Sequence, residues 1–253
     1  MTAQSTAAES LPVLLRALRL PSFVQHSEQF SEQAAQEGWS HSTYLHRLAE
    51  IELTDRELRR IERLRKRSCL PLEKTLDTLE TSCLPAKVRT QLPALCDGDF
   101  VDKARNLLAF GLPGRGKTHV VCAIGHELVK RGHKVLFSPA FRLVQRLLVG
   151  KRDLTLDKLL RQLDSYDSVI VDDIGYVQQS REEMEVLFTF FSERYERRSV
   201  IITSNLVFSQ WDRIFKDAMT TAAAIDRLVH HSTILELTGP SFRAEAAKKG
   251  GEK

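Results

Sequence analysis

The sequence predicts an α/β fold: a five-stranded parallel sheet flanked by helices, with a small all-α domain ahead of it. Three observations carry this expectation. A complete G-x-x-x-x-G-K-[ST] loop occupies 111–118, between a short apolar run and a stretch with helical spacing. From about residue 100 onward, apolar runs of strand length alternate with helical patterns, as parallel strands covered by helices do. Between Leu11 and Leu79 apolar residues recur only at helical spacing, with no strand-like alternation.

Taken in order, residues 1–10 are small and polar and are expected to be unstructured. Leu11, Leu14, Leu15 and Leu18 open the helical region, and Leu45, Leu48, Ile51, Leu58, Ile61 and Leu64 continue it. Pro21 and Gly38-Trp39-Ser40 divide it into several helices. Residues 1–80 are therefore read as a helical partner- or DNA-interaction domain. Residues 81–99, with Pro85, Pro93 and Gly98, are read as a linker, 100–243 as the sheet domain and 244–253 as a polar tail. Within the sheet domain, strands are expected at 104–111, 134–139, 167–173, 199–205 and 233–237. Helices are expected at 117–131, 140–149, 154–163, 182–197, 209–215 and 220–230.

The composition, 42% hydrophobic and 28% charged over 253 residues, is that of a globular chain with a sizeable core. No apolar run approaches bilayer-spanning length, and the first 30 residues lack the pattern of a secretory signal. Cys69, Cys83, Cys96 and Cys122 are far apart without C-x-x-C pairing, which disfavours zinc and disulfide frameworks. A cytoplasmic protein with reduced thiols and no membrane partner is the expectation. The net charge of +4 is unevenly spread. Residues 55–67 hold seven basic and three acidic side chains, and Arg142, Arg146, Lys151 and Arg152 form a second basic group. Each cluster suits a phosphate backbone, or alternatively a solvated helix face with Glu–Arg pairs.

The loop chemistry is the most informative. Gly111, Gly114 and Gly116 let successive backbone N–H groups turn inward towards phosphate oxygens. Leu112, Pro113, Arg115 and His119 complete the candidate nucleotide-binding segment. Lys117 supplies a cation for the β- and γ-phosphates, and the Thr118 hydroxyl a ligand for Mg²⁺. The helix that follows directs its positive end at the same place. These features imply a bound nucleoside triphosphate with Mg²⁺. Ser168–Asp173 then forms an apolar run closed by two acids. Asp172 is the candidate for the Mg²⁺ shell and Asp173 for orienting and polarising an attacking water; capping of the next helix is the other reading. Val200–Asn205 ends in three hydrogen-bonding residues. Asn205 is the candidate to hold that water, with Thr203 the alternative. Arg227, in the last expected helix, is placed to reach a neighbouring subunit's γ-phosphate or to pair on the surface. His230 and His231 have no acid or cysteine at ligand spacing and read as helix-terminal residues.

Together Gly111–His119, Val171–Tyr176, Thr203–Leu206 and Ala224–Leu237 resemble the AAA+ helicase-loader group, and within it the IstB family of transposition helper ATPases. Leu15–Pro21 and Leu45–Glu52 fit the same family, so the resemblance covers about residues 11–243. It implies an ATPase, slow and switch-like, that assembles as a homo-oligomer on duplex DNA largely without sequence preference, with nucleotide sites at subunit interfaces. Recruitment and stimulation of a DDE-type transposase is the implied role; a DnaC-type replicative helicase loader is the alternative. About 15 residues follow the last expected strand, too few for the helical lid of many AAA+ proteins, so a lidless form is implied. Asp173 stands where many AAA+ proteins carry the longer Glu. The helices at 140–164 resemble the insertion that lines the DNA-facing surface in the initiator and loader clade, which makes Arg142, Arg146, Lys151 and Arg152 DNA-contact candidates.

Overall fold

The computed structural model describes residues 3–176, 180–206, 210–211 and 218–238, in two compact units, 1–63 and 64–253. The first unit is helical. Helix α1 (Ala3–Ala17) begins well before the expected start, so most of the stretch read as unstructured is helix. Pro21 opens α2 (Pro21–Glu37), where a missing N–H costs nothing, and Gly38, at φ 68°, stops it. Helix α3 (His41–Ser68) continues past the end of the unit.

Glu52 of α3 caps α2 from the side. Its carboxylate accepts the Ser22 N–H at 2.9 Å and Arg56 Nε at 2.7 Å. Burial pushes this carboxyl up, but the bonds from Arg56 and Ser22 outweigh it and hold it below the usual glutamate range. Much of the basic run at 55–67 is satisfied along its own helix, Arg56 by Glu52 and Arg60 by Glu57. That is the behaviour of a solvated helix face.

Residues 64–99 belong to the second unit, and the expected linker is largely ordered helix. Helix α4 (Ala86–Asp97) buries Val88, Leu92, Leu95 and Cys96, a stripe at helical spacing that its prolines obscure in the sequence. Helix α5 (Asp99–Asp102) leads into β1 (Asn106–Phe110), all of whose residues are buried. The remaining elements are α6 (Lys117–Lys130), β2 (Val135–Pro139), α7 (Ala140–Arg152), α8 (Leu156–Asp164), β3 (Ser168–Asp172), α9 (Arg181–Arg194), β4 (Ser199–Ser204), α10 (Ala218–Val229) and β5 (Ser232–Glu236). The expected helix at 209–215 lies outside the described residues except for Gln210 and Trp211; the expected tail, and the segment expected to be too short for a lid, lie beyond residue 238.

The described strands form one parallel sheet in the order β2–β3–β4–β1–β5. Its central strands β1 and β4 are buried throughout, as strands covered by helices on both faces are. The order places the C-terminal ends of β3, β4 and β1 side by side, where open α/β sheets bind ligands. Helix α6 lies close on the sheet: a Cβ on Gly125 would come within 2.9 Å of Ile170 on β3 and 3.0 Å of Leu70 on its other side. Segment 70–78 is fastened to α6 by His126 Nε2 against Pro71 O (3.0 Å) and His119 Nε2 against Thr75 O (3.1 Å).

Arg194, at the end of α9, is 2% exposed and donates to the carbonyls of Leu163, Tyr166, Asp167 and Ser199. Burial lowers its pKa to about 10, and the guanidinium ties the ends of α8 and α9 to the starts of β3 and β4. Nothing in the local sequence marks it out.

Candidate active site

The loop after β1 is shaped by its glycines. Gly114 and Gly116 sit at φ 81° and 79°, where a side chain would be strained. Gly111 is constrained by space: a Cβ there would stand 2.5 Å from the Leu237 carbonyl oxygen. Its N–H donates to Ser204 O at 3.2 Å, which sets the loop beside the end of β4. Leu112 and Pro113 are exposed on the outside of the loop. Lys117 is 7% exposed, and its Nζ donates to the carbonyls of Gly111 (2.7 Å) and Leu112 (3.1 Å). The ammonium is therefore held within the curl. His119 turns its imidazole to Thr75 and Thr78, so its side chain is occupied outside the loop.

The ends of two strands and the start of α6 converge on one carboxylate. Thr118 Oγ1 donates to Asp172 Oδ1 at 2.8 Å, and Thr203 Oγ1 donates to the same oxygen at 2.7 Å. Thr203 in turn accepts the Asp173 backbone N–H at 2.7 Å. One fully buried hydroxyl thus fixes both acids; the sequence offered Thr203 only as the alternative to Asn205 for holding the attacking water. Asp173 adopts φ 66°, a left-handed conformation that Asp and Asn tolerate better than most side chains. The hydroxyl and carboxylate oxygens of Thr118 and Asp172 are the hard donors that Mg²⁺ takes, so these residues fit the ion they were expected to hold.

Asn205 follows directly on β4, beside the loop. Its Oδ1 is buried without a hydrogen-bond partner among the described residues. A Cβ on Gly175 would fall 1.9 Å from that oxygen, so Gly175 is what allows Asn205 its position. Sequence reasoning missed Gly175; only the through-space contact reveals it. Arg227 stands on α10 with its guanidinium 4.9 Å from the centre of the Phe188 ring and Nη1 donating to Ala223 O. No hydrogen bond joins it to the phosphate loop of its own chain among the described residues.

The four basic residues of the insertion are not equivalent. Lys151 bonds to Glu185 of α9 at 2.8 Å and Arg152 to Asp153 at 3.0 Å, whereas Arg142 lies over Phe141 and Arg146 lines a groove between α7 and α8. The fold also brings Glu196, distant in sequence, to within 3.7 Å of His231 and 4.0 Å of His230. All three are exposed, and such pairs contribute little. Burial pushes the Cys122 thiol up to about 12 and that of Cys96 to about 11, so neither is a nucleophile.

A family model described as IstB-like ATP binding protein matches residues 13–250. The chain belongs to this family. A relative from Sinorhizobium fredii, described as an insertion-sequence ATP-binding protein, is 43% identical over 94% of this chain and 80% of its own length. The ATP-binding protein of insertion sequence IS21 from Pseudomonas aeruginosa is 36% identical over 95% of this chain and 91% of its own. Among solved structures, the DnaC helicase loader aligns with a TM-score of 0.52 and 19% identity over 66% of this chain and 98% of that one. The replication initiator DnaA bound to AMPPCP and single-stranded DNA aligns at 0.57 and 19%, over 73% and 56%. These structural likenesses show an α/β P-loop fold shared with the DnaC loader and DnaA, and the family establishes an IstB-like ATP-binding protein of insertion-sequence type.

Proposed function

We propose that this chain is the ATP-driven helper of an insertion-sequence transposase, assembling on duplex DNA when ATP is bound and disassembling after hydrolysis. The observation that carries the reading is the junction of Thr118, Asp172, Thr203 and Asp173 at the mouth of the phosphate loop. It joins the groups expected around the metal to those expected around the attacking water.

Loop N–H groups and Lys117 would bind the β- and γ-phosphates, with Thr118 and Asp172 holding Mg²⁺. When bound, the ion supplies charge neutralisation across the phosphate oxygens. Asp173 orients a water for in-line attack on the γ-phosphorus and draws off its proton, while Asn205 fixes the water from the β4 side. The β–γ bridging bond breaks, and ADP and phosphate leave. Arg227 from a second copy would complete the charge stabilisation, which makes turnover depend on assembly. The partners are accordingly further copies of the chain, duplex DNA bound through phosphates, and a DDE-type transposase, all in the cytoplasm.

The test is a reconstitution with this protein, duplex DNA and a purified DDE-type transposase from an IS21-like insertion sequence. ATP-dependent assembly on DNA and stimulated transposition are expected, both abolished by Lys117→Ala. Normal nucleotide affinity in that variant would refute the loop assignment. Capture of a replicative helicase with no response from the transposase would favour the loader reading instead.

A further inference from the structure

At the N-terminal ends of the strands, the opposite end of the sheet from the phosphate loop, two connections meet. Glu196 lies in the turn between α9 and β4, and His230 and His231 lie in the turn between α10 and β5. Neighbouring residues on a regular element point apart, yet here the two imidazole rings converge, with their centres 4.0 Å from each other. The Glu196 carboxylate stands 3.7 Å from His231 Nε2 and 4.0 Å from His230 Nδ1. One donor atom from each of the three residues lies within 4.8 Å of the other two. As surface ion pairs these contacts contribute little, so pairing alone is a weak reason for the convergence.

The backbone beneath the cluster is fixed by one buried residue. Asn106, 7% exposed at the start of β1, donates its backbone N–H to the His231 carbonyl at 2.8 Å. Its side-chain amide donates to Leu228 O at 3.1 Å, and its Oδ1 accepts the Val200 N–H at 2.9 Å. One residue thus ties the end of α10 to the start of β4, the two segments that carry the three donors. Such support from beneath is what holds a ligand set in place. Glu196 itself adopts φ 56°, in the left-handed region that usually goes to glycine or asparagine. A carboxylate is kept there despite the strain, which points to use.

Two imidazoles and a carboxylate are the donor set of a borderline divalent cation, Zn²⁺ above all. They do not suit the hard Mg²⁺ that the oxygens of Thr118 and Asp172 fit. Zn–N and Zn–O bonds of about 2.0–2.2 Å set neighbouring donors of a tetrahedral ion about 3.3 Å apart. The separations of 3.7 and 4.0 Å exceed that by less than an ångström, a closure that rotation of exposed side chains supplies. His230 Nδ1 lies 2.9 Å from the Tyr195 hydroxyl, the contact that an ion would displace. The cluster contains no cysteine, so it lacks the spacing by which zinc sites are read from a sequence.

We propose that Glu196, His230 and His231 bind one Zn²⁺ ion, with water in the fourth position, and that the ion clamps the end of α10 to the turn after α9. Nothing in the site depends on nucleotide or DNA.

The experiment uses tag-free, chelator-treated protein without nucleotide, titrated with Zn²⁺ in a calorimeter and with Co²⁺ in a spectrophotometer. One equivalent of Zn²⁺ should bind, and Co²⁺ in its place should give the intense visible absorption of a four-coordinate ion. Zn²⁺ at about a hundredfold excess over its dissociation constant should raise the melting temperature by about 5–10 °C. His230→Gln, His231→Gln and Glu196→Gln should each weaken binding about 100-fold or more, since even the groups that only orient ligands are worth about 10–100-fold. Without metal each variant should melt within about 2 °C of wild type, as exposed substitutions do. Cys69→Ser, at the exposed thiol, and His46→Gln, at a histidine paired with Glu50, should leave affinity unchanged.

Wild-type protein that binds no Zn²⁺, or binding that persists in all three ligand variants, would overturn the site. So would the weak absorption of hydrated Co²⁺ at saturation. Affinity lost in Cys69→Ser or His46→Gln would place the ion elsewhere and overturn it equally.

Discussion

Replacing Thr203 by Val tests whether one hydroxyl organises the site. Valine keeps the β-branched shape on a buried strand, so packing is nearly preserved and only the oxygen is lost. Two bonds go with it. The bond to the Asp172 carboxylate is of the charge-assisted kind, about 1.5–3 kcal/mol, and the Asp173 N–H loses its acceptor at about 1–3 kcal/mol. Asp172 keeps the Thr118 donor, which limits the first loss, so a net destabilisation of about 3 kcal/mol is expected. For a chain of this size that lowers the melting temperature by about 6–12 °C. Asp173 is also released from the bond that holds its left-handed turn, so its carboxylate loses aim and turnover should fall about 100-fold. Nucleotide affinity, which rests on the loop, should change little. Thermal unfolding, binding of a fluorescent ATP analogue and phosphate release measure the three quantities, and Thr203→Ser should restore most of each. A valine variant melting within about 2 °C of wild type and turning over at its rate would refute the reasoning.

Gly175→Ala should push Asn205 aside, because the new Cβ would overlap its Oδ1, reducing single-turnover hydrolysis about tenfold or more at nearly unchanged ATP affinity; a displaced affinity instead would point to a loop defect. Arg194→Met should fill the same space but leave the carbonyls of Leu163, Tyr166 and Ser199 without their donor, costing about 3–5 kcal/mol in chemical unfolding, and a loss below about 1 kcal/mol would dismiss its clamping role. Arg227→Ala should bind ATP normally yet fail to hydrolyse it, and mixing it with Asp173→Ala should recover activity; an Arg227→Ala variant with full turnover removes the shared site.

The phosphate loop and the acid pair were legible because their chemistry is local: eight consecutive residues for one, the end of one apolar run for the other. The sheet was legible for the same reason, since buried parallel strands are short apolar runs whose ends need no partner to be seen. Thr203 was not, because its role exists only once β3 and β4 lie in register, with Val171 opposite Ile202, so that their C-terminal ends meet. Gly175 looks like any turn glycine until Asn205 is laid against it. Arg194 reads as a helix-terminal arginine, yet it is the most deeply buried cation described, because the carbonyls that hold it come from segments about 30 residues upstream as well as from Ser199. In α4 the prolines outweighed the apolar stripe, although Pro85 merely precedes the helix and Val88, Leu92 and Leu95 already keep its period.

The shorter acid at position 173 takes on a physical meaning beside its backbone. A left-handed turn at φ 66° is accessible to Asp, whose short polar side chain can bond locally, and less so to Glu. The Thr203 hydroxyl binds the N–H of that turn, so the turn, the acid and the carboxylate of Asp172 form one assembly. Lengthening the side chain would favour a closer approach to water, but it would strain the turn that links the two acids. A site built this way favours coordination between the metal side and the water side over speed. Such coordination would suit the role proposed above, in which hydrolysis ends an assembly rather than drives a cycle.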